Sequence, residues 1–103
     1  MALLKVTNDN FKKEVLESKQ KVLVDFNADW CGPCRMLAPE IEKLASDIDH
    51  IKFTSINVDE EAELAKEYNV FSIPCLLIFK DGKEVKRSVG FLTAEELKNF
   101  IEE

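Results

Sequence analysis

Trp30-Cys31-Gly32-Pro33-Cys34 stands where the apolar run Val22-Leu23-Val24-Asp25-Phe26 has ended and a helical pattern is about to begin. A strand entering this stretch and a helix leaving it put Cys31 at the helix start. There unpaired backbone N–H groups and the positive end of the helix dipole stabilise a thiolate, which makes Cys31 the expected nucleophile. Cys34 falls in the first turn, and its i, i+3 spacing brings both sulfurs to one face within reach of a disulfide. The pair is expected to open and close.

The run from Val22 to Phe26 is continuous and β-branched rather than alternating, as in a central strand covered on both faces, so Asp25 is expected to be buried. Downstream, Leu37, Ile41, Leu44, Ala45 and Ile48 follow helical spacing, with Pro39 predicting a kink. A second strand, Phe53 to Val58, completes a βαβ unit. A short acidic helix is expected over Asp59 to Tyr68, and a third strand over Ile73 to Phe79. Lys80-Asp81-Gly82-Lys83 signals a hairpin into Glu84 to Val89, and Thr93-Ala94-Glu95-Glu96 has the form of a capping box opening a last helix. Upstream, Leu3 to Val6 reads as a weak strand and Asn8 to Ser18 as a helix with Phe11 and Val15 on one side. These elements make an α/β fold with a mixed sheet and helices on both faces, parallel in its first part and antiparallel at its end.

The chain of 103 residues is 46% hydrophobic and carries a net charge of -6, enough for one core and without the basic face that a nucleic-acid partner requires. Residues 1–103 are expected to form one domain, since no linker or repeat interrupts them. Met1-Ala2-Leu3-Leu4 runs straight into Lys5, too short for a signal-peptide core, and no run reaches membrane-spanning length. The expected compartment is the cytoplasm. Three cysteines there do not form a structural disulfide framework, so a close pair is redox-active or metal-binding. Zinc needs two more ligands, and the remaining candidates, Cys75 and His50, are isolated from each other, so no metal is expected.

The segment Asp25-Phe26-Asn27-Ala28-Asp29-Trp30-Cys31-Gly32-Pro33-Cys34-Arg35 is similar to the active-site segment of the thioredoxin family, and the resemblance covers the whole chain. Ile73-Pro74 resembles the family's cis-proline strand, Lys80-Asp81-Gly82 its hairpin, and Val89-Gly90 its substrate-groove glycine. The resemblance implies a thioredoxin fold with a five-stranded mixed sheet and reduction of protein disulfides. Cys31 attacks, a mixed disulfide forms, and Cys34 resolves it. It also implies that Trp30, Gly32, Pro33, Ile73, Pro74 and Gly90 face the substrate, with the Ile73 backbone pairing with an extended segment. No bound cofactor is expected. The partners are disulfide-containing protein substrates and a thioredoxin reductase that returns the electrons, with no membrane contact and a monomeric state.

Asp25 has a plain reading as a strand carboxylate bonded to backbone. As a buried acid with a raised pKa it is the expected general acid/base for the resolving step by Cys34, passing a proton to or from a thiol at neutral pH. Trp30, beside Cys31, is expected to lie at the mouth of the site with its N–H partnered. The acidic run from Asp59 to Glu63 reads as a solvated helix start. Four residues depart from the family pattern. Asn27 replaces an aromatic near the buried aspartate, Ser55 stands where many members carry a lysine, Arg35 replaces a lysine, and Cys75 replaces a threonine after the proline. Strand alternation is expected to turn Cys75 into the core as an inert thiol.

Overall fold

Apolar β-branched residues concentrate in β2, Lys21–Asn27, whose Val22, Leu23, Val24 and Phe26 are fully buried. Burial of that run on both faces makes β2 central. In the computed structural model, which describes residues 3–103, it pairs in parallel with β3, Ile51–Asn57, and antiparallel with β4, Cys75–Lys80. The short β1, Leu4–Lys5, lies parallel to β3 on one edge, and β5, Lys83–Val89, lies antiparallel to β4 on the other. The five-stranded order is β1-β3-β2-β4-β5, mixed as expected. The reading of Met1 and Ala2 lies outside the described residues.

Period-two alternation along the strands divides the core in two. Leu23, Leu76 and Ile78 point to the face covered by α1, Gly32–Asp47, and α3, Ala94–Glu102, packing with Leu37, Ile41 and Leu97. Val24, Leu77 and Phe79 point the other way, toward Phe11, Val15 and α2, Ala62–Glu67. On that side Phe11, Tyr68 and Phe79 meet with ring centroids 5.4–6.0 Å apart, at tilted and edge-on angles favoured by aromatic quadrupoles.

The hairpin turns at Asp81 and Gly82, both at positive φ, as a two-residue turn between twisted strands requires. Thr93 and Glu96 form the reciprocal capping box that the sequence announced. At the far end of α3, Lys21 and Lys86 donate to the carbonyls of Ile101 and Phe100, satisfying acceptors the helix leaves open.

Three expected elements differ. The first helix is not the α-helix from Asn8 to Ser18 but a single π-helical stretch, Lys12–Leu16, closed by Glu17 N–H to the Lys12 carbonyl at 2.9 Å. Residues 7–10 form the turn that leads into it: the Asn10 and Phe11 N–H groups donate to the Thr7 carbonyl at 3.2 and 3.0 Å, while Asn10 Oδ1 accepts from Thr7 N–H and Thr7 Oγ1 from Asp9 N–H. These short polar side chains take up N–H groups that the start of a helix leaves without a backbone partner. The acidic helix starts at Ala62 rather than Asp59, since Asn57 Oδ1 takes the N–H groups of Asp59 and Glu60 into a turn. β4 begins at Cys75 rather than Ile73, because Pro74 has no N–H to give to a ladder.

Candidate active site

The C-terminal end of β2 and the start of α1 place the two cysteines together, disulfide-bonded with Cα atoms 5.2 Å apart. Cys31 is the N-cap of α1 in extended conformation, and the Cys34 N–H donates to its sulfur at 3.2 Å. Pro33 sits within the first turn, where its missing N–H leaves no helical bond unmade. The sulfur of Cys31 therefore faces a free backbone donor at the positive end of a helix of 16 residues, the setting that favours a thiolate once the pair is reduced.

Around Cys31 lie Ala28, Val58 and Ile73, and its Sγ is 3.8 Å from the Ile73 carbonyl oxygen. The Ile73–Pro74 peptide bond is cis. Gly90 donates its N–H to the Pro74 carbonyl at 2.8 Å and has φ +101, a left-handed conformation that favours glycine. Trp30 is 68% exposed, with its Nε1 donating to Asp59 Oδ2 at 2.9 Å. The sequence had suggested a partner for this N–H without naming one, and Asp59 was read only as part of a solvated acidic run. Asp59 lies in the Asn57 turn that displaces the helix start. A Cβ added at Gly32 meets nothing within 4 Å, so that glycine leaves the surface beside Cys31 open.

Asp25 lies on the α1 side of β2, beneath the cysteines, and is 4% exposed. It shares with Cys34 a cleft of about 500 Å³ that also reaches Asn27, Ser55 and Asn57. Burial pushes its carboxyl from the ordinary 3.8 up to about 7, against the downward pull of a hydrogen bond from Asn27. Trp30, Ile73, Pro74 and Gly90 do not line this cleft. The acid is thus reached from one side and the exposed disulfide surroundings from another.

Cys75 turns to the opposite face of the sheet from Asp25, among Phe26, Leu77 and Phe79, and is 1% exposed. Burial pushes its thiol up, with Arg87 pulling the other way. It lies in the core as alternation from Ile73 implied.

The thioredoxin family model matches residues 2–103. The chain is 47% identical over 98 residues to thioredoxin 1 of Synechococcus elongatus, covering 94% of this chain and 92% of that protein. It is 46% identical over 102 residues to the thioredoxin of Bacillus subtilis, covering 98% and 96% respectively. With the thioredoxin of Chlamydia pneumoniae it shares 47% identity over 96 residues, 93% of this chain and 92% of that one.

Proposed function

The chain belongs to the thioredoxin family and is a protein-disulfide reductase, and from that premise we propose how its residues divide the reaction. Cys31 attacks, Cys34 resolves, and Asp25 takes the proton that Cys34 must lose. The observation that carries this assignment is the Cys34 N–H donating to Cys31 Sγ at the start of α1, which supports Cys31 as the sulfur stabilised as an anion.

The Cys31 thiolate displaces one sulfur of a substrate disulfide and forms a mixed disulfide. Cys34 then gives its proton to Asp25, and its sulfur attacks Cys31 Sγ. The substrate's second sulfur leaves with the bonding pair, so two electrons pass to the substrate as the Cys31–Cys34 bond closes. Burial of Asp25 suits it to this step. A proton moving from a thiol of pKa ~8.5 to a carboxylate near 7 climbs ~2 kcal/mol, whereas an ordinary carboxylate at 3.8 makes the climb ~6 kcal/mol. The difference decides whether Asp25 can serve at neutral pH.

Trp30, Gly32, Pro33, Ile73, Pro74 and Gly90 form the surface presented to the substrate in this reading. The exposed indole supplies apolar contact, and the Ile73 backbone beside Cys31 supplies hydrogen bonds for an extended segment. Partners are disulfide-containing proteins and a separate reductase. No described helix is long and apolar enough to cross a membrane. A dithiol that must return to its reduced form suits the cytoplasm, and the net charge of -6 disfavours nucleic acid. We take the protein to act there as one monomeric domain without a bound cofactor.

Two measurements test the roles. Alkylation of the reduced protein at neutral pH is expected to modify Cys31 first, and a Cys34→Ser variant to accumulate substrate on Cys31 as a mixed disulfide. Faster alkylation of Cys34, or accumulation in Cys31→Ser instead, reverses the assignment.

A further inference from the structure

Asp25, Asn27 and Ser55 lie on one face of the sheet. Residues two apart on a strand point the same way, and Ser55 is the register partner of Asp25 on the neighbouring parallel strand. Asn27 Nδ2 donates to Asp25 Oδ2 at 3.2 Å, to Ser55 Oγ at 2.8 Å and to the Asp25 backbone carbonyl at 3.0 Å. The backbone carbonyl can only accept and the ionised carboxylate accepts as well, so the amide must present its NH₂ group, and its two hydrogens are shared among the three oxygens. Ser55 Oγ, at 2.8 Å, makes the shortest of the three bonds and holds the amide in place. Asp25 Oδ1, by contrast, is buried and has no hydrogen-bond partner among the described residues.

We propose that Asn27, steadied by Ser55, is the positioning residue for the proton transfer, holding Asp25 by Oδ2 so that Oδ1 receives the proton of Cys34. The proposal rests on Asp25 being the proton acceptor of the resolving step. In that step the Cys34 S–H bond breaks and an O–H bond forms at Oδ1. The sulfur keeps the electron pair and closes the bond to Cys31, and the substrate sulfur departs with the pair of the broken mixed disulfide. An ionised carboxylate with one unpartnered buried oxygen gains most from a proton there, since the other oxygen is already paired.

Asn27 also lowers the pH at which the acceptor is ionised. Its N–H group favours the charged carboxylate and so opposes burial. The charged and titratable groups facing Asp25 in the cleft are Lys5 of β1, Glu60 after β3, Asp29 before α1, and Cys34, Arg35 and Glu42 of α1. Cys75 of β4 interacts with it through the sheet. Lys5 pairs with Glu60 at 3.1 Å, and Arg35 donates to the Asp29 carbonyl at 2.9 Å. Among the described residues Asn27 alone hydrogen-bonds to the carboxylate.

The test uses Asn27→Leu, which keeps the branched shape and removes the donor, and Ser55→Ala, which removes the acceptor that steadies it. The carbon-13 signal of the Asp25 carboxyl is titrated by NMR in the oxidised protein and both variants, beside the pH profile for reduction of a peptide disulfide. Asn27→Leu is expected to raise the Asp25 midpoint by about one pH unit, Ser55→Ala by less in the same direction, and the pH profile to move with it. A midpoint unchanged or lowered in Asn27→Leu overturns the proposal. Should leucine fail to fold there, an unchanged or lowered midpoint in Ser55→Ala overturns it equally. Failure of the underlying role has a different signature: the midpoint moves, yet Asp25→Asn keeps the wild-type pH profile.

Discussion

Replacing Asp25 by asparagine removes a titrating group from a place where burial opposes its charge, and the effect on stability follows from the structure. The carboxyl is 4% exposed, and burial moves it from 3.8 to about 7. Below 3.8 the aspartate is protonated whether the chain is folded or not, and pH acts on both states alike. Between 3.8 and about 7 the unfolded chain releases the proton while the folded protein keeps it, so stability falls as pH rises, by ~1.4 kcal/mol per unit. Above about 7 both states are ionised and the loss is complete. The interval of 3.2 from 3.8 to 7, at ~1.36 kcal/mol per unit, amounts to about 4 kcal/mol. Asparagine does not titrate, so the stability of Asp25→Asn relative to the wild type should climb by ~2–3 kcal/mol between about pH 5 and 7 and level off above about pH 8. Urea unfolding of both oxidised proteins across that range measures it, because every other group titrates in common and cancels in the difference. A difference constant within ~0.5 kcal/mol refutes the buried-acid reasoning. In the reduced proteins the same substitution should slow resolution while leaving alkylation of Cys31 nearly unchanged.

Cys75 packs among core side chains with its thiol pushed up by burial, so Cys75→Thr should keep reductase activity within about threefold, under ~1 kcal/mol of barrier. Mass spectrometry of peroxide-treated protein should show a Cys31–Cys34 disulfide and a free Cys75, and a major Cys31–Cys75 or Cys34–Cys75 link would contradict this. Gly82→Ala should lower stability by roughly 1–3 kcal/mol in urea unfolding, with an unchanged midpoint as the contrary result. Gly82 has φ +81, and an added Cβ would stand 2.9 Å from the backbone carbonyl oxygen of Leu16, so the turn holds a long-range contact as well as a conformation.

The residue pattern by itself carried the parts of this protein that depend on neighbours in the chain. An unbroken apolar run can satisfy its burial only in the middle of a sheet, which is why Val22–Phe26 announced both the central strand and the burial of Asp25. Cys31 and Cys34 are joined by helical spacing, Thr93 and Glu96 by a capping box, and Asp81 and Gly82 by a two-residue turn, all relations spanning a few residues. Alternation also told which way Cys75 faces.

Tertiary structure decided whatever needed two distant segments at once. Asn27 and Ser55 could be seen as unusual in the sequence, but their bond depends on the register of β2 against β3, which sets Asp25 opposite Ser55. Trp30 meets Asp59 from a distant part of the chain, in the turn that Asn57 holds before α2. The first helix, too, departs from its apolar spacing, because Glu17 N–H reaches the Lys12 carbonyl five residues back and makes the stretch π-helical. Periodicity records which side of an element is apolar, whereas a polar side chain with several acceptors in reach is committed only when packing brings one of them within about 3 Å.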